Sequence, residues 1–252
     1  MPLLLLTLLS GWSLSFPGTN SGSLEPRMFF QPDEDQFIYT MIEDDATLVK
    51  YGPITFGVGL SLDTYMGTSS KDSDIAFNVY GAHWNIRGFF GVDYRNLLFS
   101  LFTDHECFHN IDMADTSGQY MNNLKLGIEN DTPEVRMEDH AVFLPAGNIP
   151  SYKISVGFYR PTGATFQKGH LFDWSLHGNF DYPLLSAKQM EYGAILHSDL
   201  YFHLDGEASS RHFGEVYAKH NDIIIFFRHH LYDSQPIRSL DGETCFGMRF
   251  SW

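Results

Sequence analysis

The chain has 252 residues, 43% of them hydrophobic, and is rich in aromatics and glycine, with 22 Phe, 13 Tyr, 4 Trp and 22 Gly. A formal charge of −15 excludes the Lys/Arg-rich surface that neutralises phosphates, so no nucleic-acid partner is expected. Two cysteines, Cys107 and Cys245, are too few for a disulfide framework or a cysteine-based zinc knuckle.

The leading stretch, MPLLLLTLLSGWSLSFPG, opens on an apolar run too short to span a bilayer. Ser13 and Ser15 are the small residues a signal peptidase inspects, so residues 1–15 read as an export signal, although no Lys or Arg precedes the apolar run. Residues 16–50, which include Pro32-Asp33-Glu34-Asp35, show little alternation and read as an N-terminal extension or first strand region. From 51 to 252 the dominant hydrophobic period is two. Ile54, Phe56, Val58, Leu60 and Leu62 alternate with Thr55, Gly57, Gly59, Ser61 and Asp63. Between 171 and 180, Phe172, Trp174, Leu176 and Phe180 oppose Asp173, Ser175, His177 and Asn179. Between 188 and 205, Met190, Tyr192, Ala194, Leu196, Leu200 and Phe202 oppose Glu191, His197, Asp199, His203 and Asp205.

Strands of about ten residues with one apolar and one polar face suit a barrel that shows its apolar side to lipid. The C-terminal stretch ETCFGMRFSW puts Phe246, Met248, Phe250 and Trp252 on one face, and a last strand ending on an aromatic is similar to the assembly signal of bacterial outer-membrane barrels. The expected fold is therefore all-β, a transmembrane antiparallel β-barrel. Dividing the chain by a strand-plus-turn unit gives roughly 12 strands, within about 10 to 14, and an even number is usual for such barrels. The expected location is the outer membrane of a Gram-negative bacterium. The expected partners are outer-membrane lipid and lipopolysaccharide, and the barrel assembly machinery through the C-terminal strand.

One string suggests other chemistry. His105-Glu106-Cys107-Phe108-His109 fits H-E-x-x-H, which binds catalytic zinc when a helix brings positions i and i+4 to one face. The residues before it, Asn96 to Phe102, are strand-like, no capping pattern opens a helix, and no further histidine follows at metzincin spacing. On an extended backbone His105, Cys107 and His109 share one face and Asp104 and Glu106 the other. Strict alternation with Leu97, Phe99 and Leu101 points the histidines outward, whereas a bulge near Thr103 would turn them inward.

The spacing His105-x-Cys107-Phe108-His109-x-x-Asp112 resembles the motif His-x-Ser-Ser-His-Leu-Gly-Asp-Glu of an uncharacterised bacterial outer-membrane β-barrel family. Gly91-Val92-Asp93-Tyr94-Arg95 and Tyr232-Asp233-Ser234-Gln235-Pro236 look similar as well. His105, His109 and Asp112 match by position, while Cys107 and Phe108 replace the serine pair. The resemblance implies the barrel fold and a strand-end position for the motif, and no reaction.

Three functions are compatible with this reading. The first is a small channel, or a binding or structural barrel, with a lumen lined by Asp173, His177, Glu191, His197, Asp199, His203, Arg228, His230 and Arg249. The alternative is an enzyme hydrolysing lipid A or phospholipid, with His105 or His109 as base, Asp112 or Glu106 as orienter, and Ser100 or Cys107 as nucleophile. The third is the H-E-x-x-H metalloprotease. No cofactor is implied, although imidazole and carboxylate in a lumen would suit a divalent metal.

Overall fold

The computed structural model describes residues 13–30, 37–68, 77–110, 119–130, 150–160, 172–187, 189–235 and 239–252. Its strands are β1 (Leu14–Ser15), β2 (Thr19–Phe29), β3 (Ile38–Tyr51), β4 (Ile54–Thr68), β5 (Phe77–Tyr94), β6 (Leu97–Asn110) and β7 (Gln119–Glu129). They continue with β8 (Ser151–Tyr159), β9 (Phe172–Ala187), β10 (Met190–His203), β11 (Ala208–His220), β12 (Ile223–Asp233) and β13 (Thr244–Ser251). From β2 to β13 each strand pairs antiparallel with the next, and β13 pairs back onto β2. The result is a closed barrel of twelve strands.

The stretch expected to be an extension or first strand region, 16–50, holds β2 and nearly all of β3, so two of the twelve barrel strands come from it. β1 pairs Leu14 with Tyr51 and Ser15 with Lys50, ahead of the β2 pairing that starts at Thr19 and Thr47. Gly18, at φ 56, lies in the break between β1 and β2.

Turn chemistry separates the two ends. At the end where β2 begins and β13 finishes, Arg95 and Asn96 both have positive φ (50 and 66), the type I′ hairpin that suits twisted strands. Gly52, Gln189 and Asn221 take positive φ in the other short turns at this end, β3–β4, β9–β10 and β11–β12. The longer β7–β8 connection is also at this end, tied where Asn130 donates to the Pro150 carbonyl at 2.9 Å and accepts from the Tyr152 amide at 2.6 Å. The other end carries the longer connections β2–β3, β4–β5, β6–β7, β8–β9 and β12–β13 and is called the loop end below.

The outside is apolar along a band of defined height. On β5 the exposed outward residues include Trp84, Ile86, Phe90 and Tyr94, with Trp84 at the loop end and Tyr94 at the turn end. That span has ten rises of ~3.4 Å, which at a tilt of ~45° gives ~24 Å. A lipid-facing barrel band flanked by aromatic girdles is ~25 Å tall. β9 repeats the pattern between Trp174 and Tyr182, and the Trp174 ring stacks on Phe202 of β10 at 3.8 Å.

The inside carries aromatic and charged side chains. Towards the loop end, Tyr39, Tyr65 and Phe108 pack edge to face, and Tyr159, Phe172 and Tyr201 form a second aromatic group. Deeper in the barrel the inward side chains are charged and paired. Alternation along each strand produces both faces at once: a residue at i faces outward and its neighbour at i+1 faces the interior.

Candidate functional site

Three interior networks and one outward patch gather the reactive side chains. The first network joins β2, β11, β12 and β13. Glu25 pairs with Arg27, lies 3.3 Å from Arg228 and accepts from Arg249 Nε at 2.5 Å. Glu215 accepts from Arg228 at 2.9 and 2.5 Å and reaches Arg249 at 3.3 Å. Both carboxylates are almost fully buried, at 1% and 2% exposure. Phe213 and Phe226 lie under the Arg228 guanidinium at 4.2 and 5.0 Å.

The second network joins β9 and β10. Ser175 Oγ and His177 Nε2 are 2.7 Å apart, His177 Nδ1 and Asp199 Oδ1 are 2.7 Å apart, and Asp199 Oδ2 meets His197 Nε2 at 2.9 Å. The order hydroxyl, imidazole, carboxylate is the one that activates serine nucleophiles. Ser175, however, is wholly buried, and a β-carbon on the facing Gly157 would meet its Oγ at 2.6 Å. No carbonyl group can approach that hydroxyl, so the arrangement ties strands together.

The third network joins β4 to β7. Lys125 sits between Asp104 at 3.1 Å and Glu106 at 3.2 Å, Asn123 donates to Glu106 at 2.9 Å, and His83 bonds Asp63 at 3.1 Å. Arg87 on β5 pairs with Glu43 and Asp45 of β3. Near the turn end, Tyr217 donates its hydroxyl towards Asp181 at 2.8 Å and Glu191 at 3.0 Å.

The expected lumen residues therefore separate. His177, Glu191, His197, Asp199, His203, Arg228, His230 and Arg249 point inward. Asp173 does not. The β9–β10 register shifts between Phe202 and His203, pairing His203 with Phe172, so Phe172 enters the interior and Asp173 is left exposed. The bulge adds one residue, which pure alternation from Trp174 cannot reveal.

The H-E-x-x-H string lies on a strand, and the helical zinc site is overturned. β6 pairs continuously with β5 and with β7 through Thr103, without a bulge, so the histidines keep the outward parity of Phe99 and Leu101. Glu106 points into the third network, and Ser100 is buried on the same inward face, so neither can serve His105 or His109. Asp112 lies outside the described residues.

What remains together outside is a polar patch near the loop-end girdle. Cys107 Sγ contacts His109 Nε2 at 2.6 Å, and His105 Nδ1 meets Asn122 Oδ1 of β7 at 2.7 Å. Cys107 pairs across strands with Trp84, and His105 with Ile86, one position further into the apolar band. Asn122 escaped the sequence reading because its pairing to His105 depends on register, and register is a tertiary property.

For a metal, the described residues offer one preassembled set. His203, Asp205 and Glu207, in and after the end of β10, place one donor atom each within 4.8 Å of one another. His203 Nε2 also bonds Ser209 Oγ at 2.9 Å.

No protein-family model matches the chain, and no curated protein matches it in sequence. Solved structures do match in fold. The outer membrane phospholipase A from Escherichia coli is similar at 10% identity and a TM-score of 0.51, covering 91% of this chain and 92% of that one. An active-site mutant of the same phospholipase gives 8% identity and a TM-score of 0.53, covering 94% and 91%. These likenesses establish the fold, a closed outer-membrane-type β-barrel.

Proposed function

We propose that the protein resides in the outer membrane of a Gram-negative bacterium as a binding or structural barrel whose interior is closed to solutes. The observation that carries this reading is the burial of its interior charges: Glu25, Glu215, Arg228 and His230 each keep 4% or less of their surface exposed. An open pore would leave such groups wet. Aqueous channels come with about 16–18 strands, whereas small barrels fill with side chains. The apolar band and its aromatic girdles support membrane insertion, since a surface of exposed Phe, Leu and Trp on this scale is unsuited to water. The outward Phe246 and Met248 of β13, with the exposed Trp252, support handling by the barrel assembly machinery.

Fractionation and conductance test the two halves separately. The folded protein is expected in the outer-membrane fraction with heat-modifiable gel mobility; recovery from the soluble periplasm would overturn the location. Inserted into planar bilayers, it is expected to give no discrete conductance steps. Reproducible steps from heat-modifiable protein would sink the closed interior and restore the channel reading.

A lipid-modifying hydrolase is the second reading. One observation favours it: the polar patch of His105, Asn122, Cys107 and His109 interrupts an otherwise apolar outer wall. Outer-membrane lipid or lipopolysaccharide would be its substrate.

A further inference from the structure

We propose that Cys107 and His109 form an acyl-transfer site at the lipid boundary, with the Cys107 thiol as nucleophile, His109 as its base, and an ester-linked acyl lipid as substrate. The inference rests on the membrane location proposed above and names the chemistry of the lipid-modifying reading.

At the girdle polar groups cost little, and they stand within reach of the ester region of a lipid. Two imidazoles, a thiol and an amide share this stretch of wall, close to the height of Trp84, where headgroups begin and ester linkages lie. Cys107 Sγ is in contact with His109 Nε2, the pairing in which an imidazole can take a thiol proton. His105, one outward position deeper in the wall, has its ring oriented by Asn122 of β7.

The wall beneath also has room for a chain. Gly88 pairs with Thr103 directly below the Ile86–His105 pair. A β-carbon on Gly88 would meet only Thr103 Cγ2, at 3.4 Å. Two small outward positions side by side leave a shallow gap flanked by exposed Ile86, Phe90 and Leu101. A lipid acyl chain can lie there with its carbonyl at the height of Cys107.

The second cysteine provides a contrast within one chain. Cys245 has no exposed surface, so acyl transfer to it is excluded while the barrel is folded.

The step balances without a further reagent. His109 takes the thiol proton as sulfur attacks the ester carbonyl carbon. The bond from that carbon to the glycerol or glucosamine oxygen breaks, and His109 returns the proton to the leaving oxygen. Cys107 then carries the acyl group as a thioester and the lipid leaves one chain short. Water, deprotonated by His109, attacks the thioester, which releases a carboxylic acid and restores the thiol.

The test uses the full-length barrel in vesicles of phosphatidylethanolamine and phosphatidylglycerol, with a second arm containing lipopolysaccharide. Intact-protein mass spectrometry reads the adduct, and lipid mass spectrometry reads the deacylated product. Wild type is expected to gain one acyl chain, removable by neutral hydroxylamine, with matching lipid product. The arm that yields product identifies the source. Cys107→Ala abolishes both signals, His109→Ala slows them ~10²–10⁴-fold, the usual range for a lost general base, and Gly88→Leu disfavours long chains over short ones. Heat-modifiable mobility of every variant shows that it has folded. Folded wild type in bilayers giving neither adduct nor product in either arm overturns the acyl-transfer site and leaves the barrel standing. Product formation unchanged in Cys107→Ala overturns it equally. A wild type that never enters membranes overturns the membrane reading first.

Discussion

Replacing Glu25 with alanine is expected to destabilise the barrel by about 3–5 kcal/mol, the cost of leaving a buried ion without its partner. The seam cluster holds three guanidinium groups, Arg27, Arg228 and Arg249, against two carboxylates, Glu25 and Glu215. Its net charge is therefore +1. Removing Glu25 takes it to +2, with three cations facing a single carboxylate, two of them on buried arginines. Removing Arg27 brings it to zero. Arg27→Met should therefore cost only about 1 kcal/mol, mostly the lost stacking of its guanidinium over Tyr39 at 4.2 Å. Urea titrations of both variants in vesicles, followed by heat-modifiable mobility, read the difference directly. Equal midpoints for the two would show that their packing, and not their charge, sets stability at this seam.

Gly247→Val should be nearly as damaging, through crowding. Gly247 faces Phe226 across the β12–β13 pair, and a β-carbon there would lie 2.3 Å from Phe226 Cζ. Phe226 has almost no exposed surface and stands between Arg228 and Arg249, at 5.0 and 5.1 Å from their guanidinium carbons. The ring cannot retreat without breaking the charged cluster behind it. A cost of about 1–3 kcal/mol is the usual penalty for overfilling a packed interior, and displacement of the arginines adds to it. Expressed at matched levels, the variant should show a lower urea midpoint than wild type. Gly214→Ala is the control, because a β-carbon there has only Leu196 Cδ2 at 3.9 Å. If the two variants unfold together, the Phe226 contact is not what limits position 247.

Much of the fold can be read in the chain because a barrel writes its two environments at period two. Leu196 and His197, or Phe227 and Arg228, declare their faces without any knowledge of neighbours. β2 was harder to read because Pro26 and Gly22 interrupt its pattern, and because Glu25 and Arg27 look like surface charges until their partners on β11, β12 and β13 arrive. Prolines and glycines in strands ordinarily argue against a strand assignment. Asp173 was misplaced by one inserted residue, a local event with large consequences for side-chain direction. For His105 and His109, alternation alone gave the outward direction, and the continuous pairing of β6 removed the competing bulge. The contact of Cys107 with His109 follows from parity. The contact of His105 with Asn122 does not, since it joins strands whose register no local pattern fixes.

The pairing of β13 with β2 also determines when the molecule can exist. Gly22 and Trp252 exchange two backbone hydrogen bonds of 3.1 Å, and Glu25 meets Arg249 across 224 residues of chain. Two strands far apart in the chain must therefore meet before the barrel is closed. Until that meeting, both open edges expose unpaired amides and carbonyls, and Glu25 lacks the Arg249 part of its neutralising shell. Closure removes both edges together, because β13 then pairs with β12 on one side and β2 on the other.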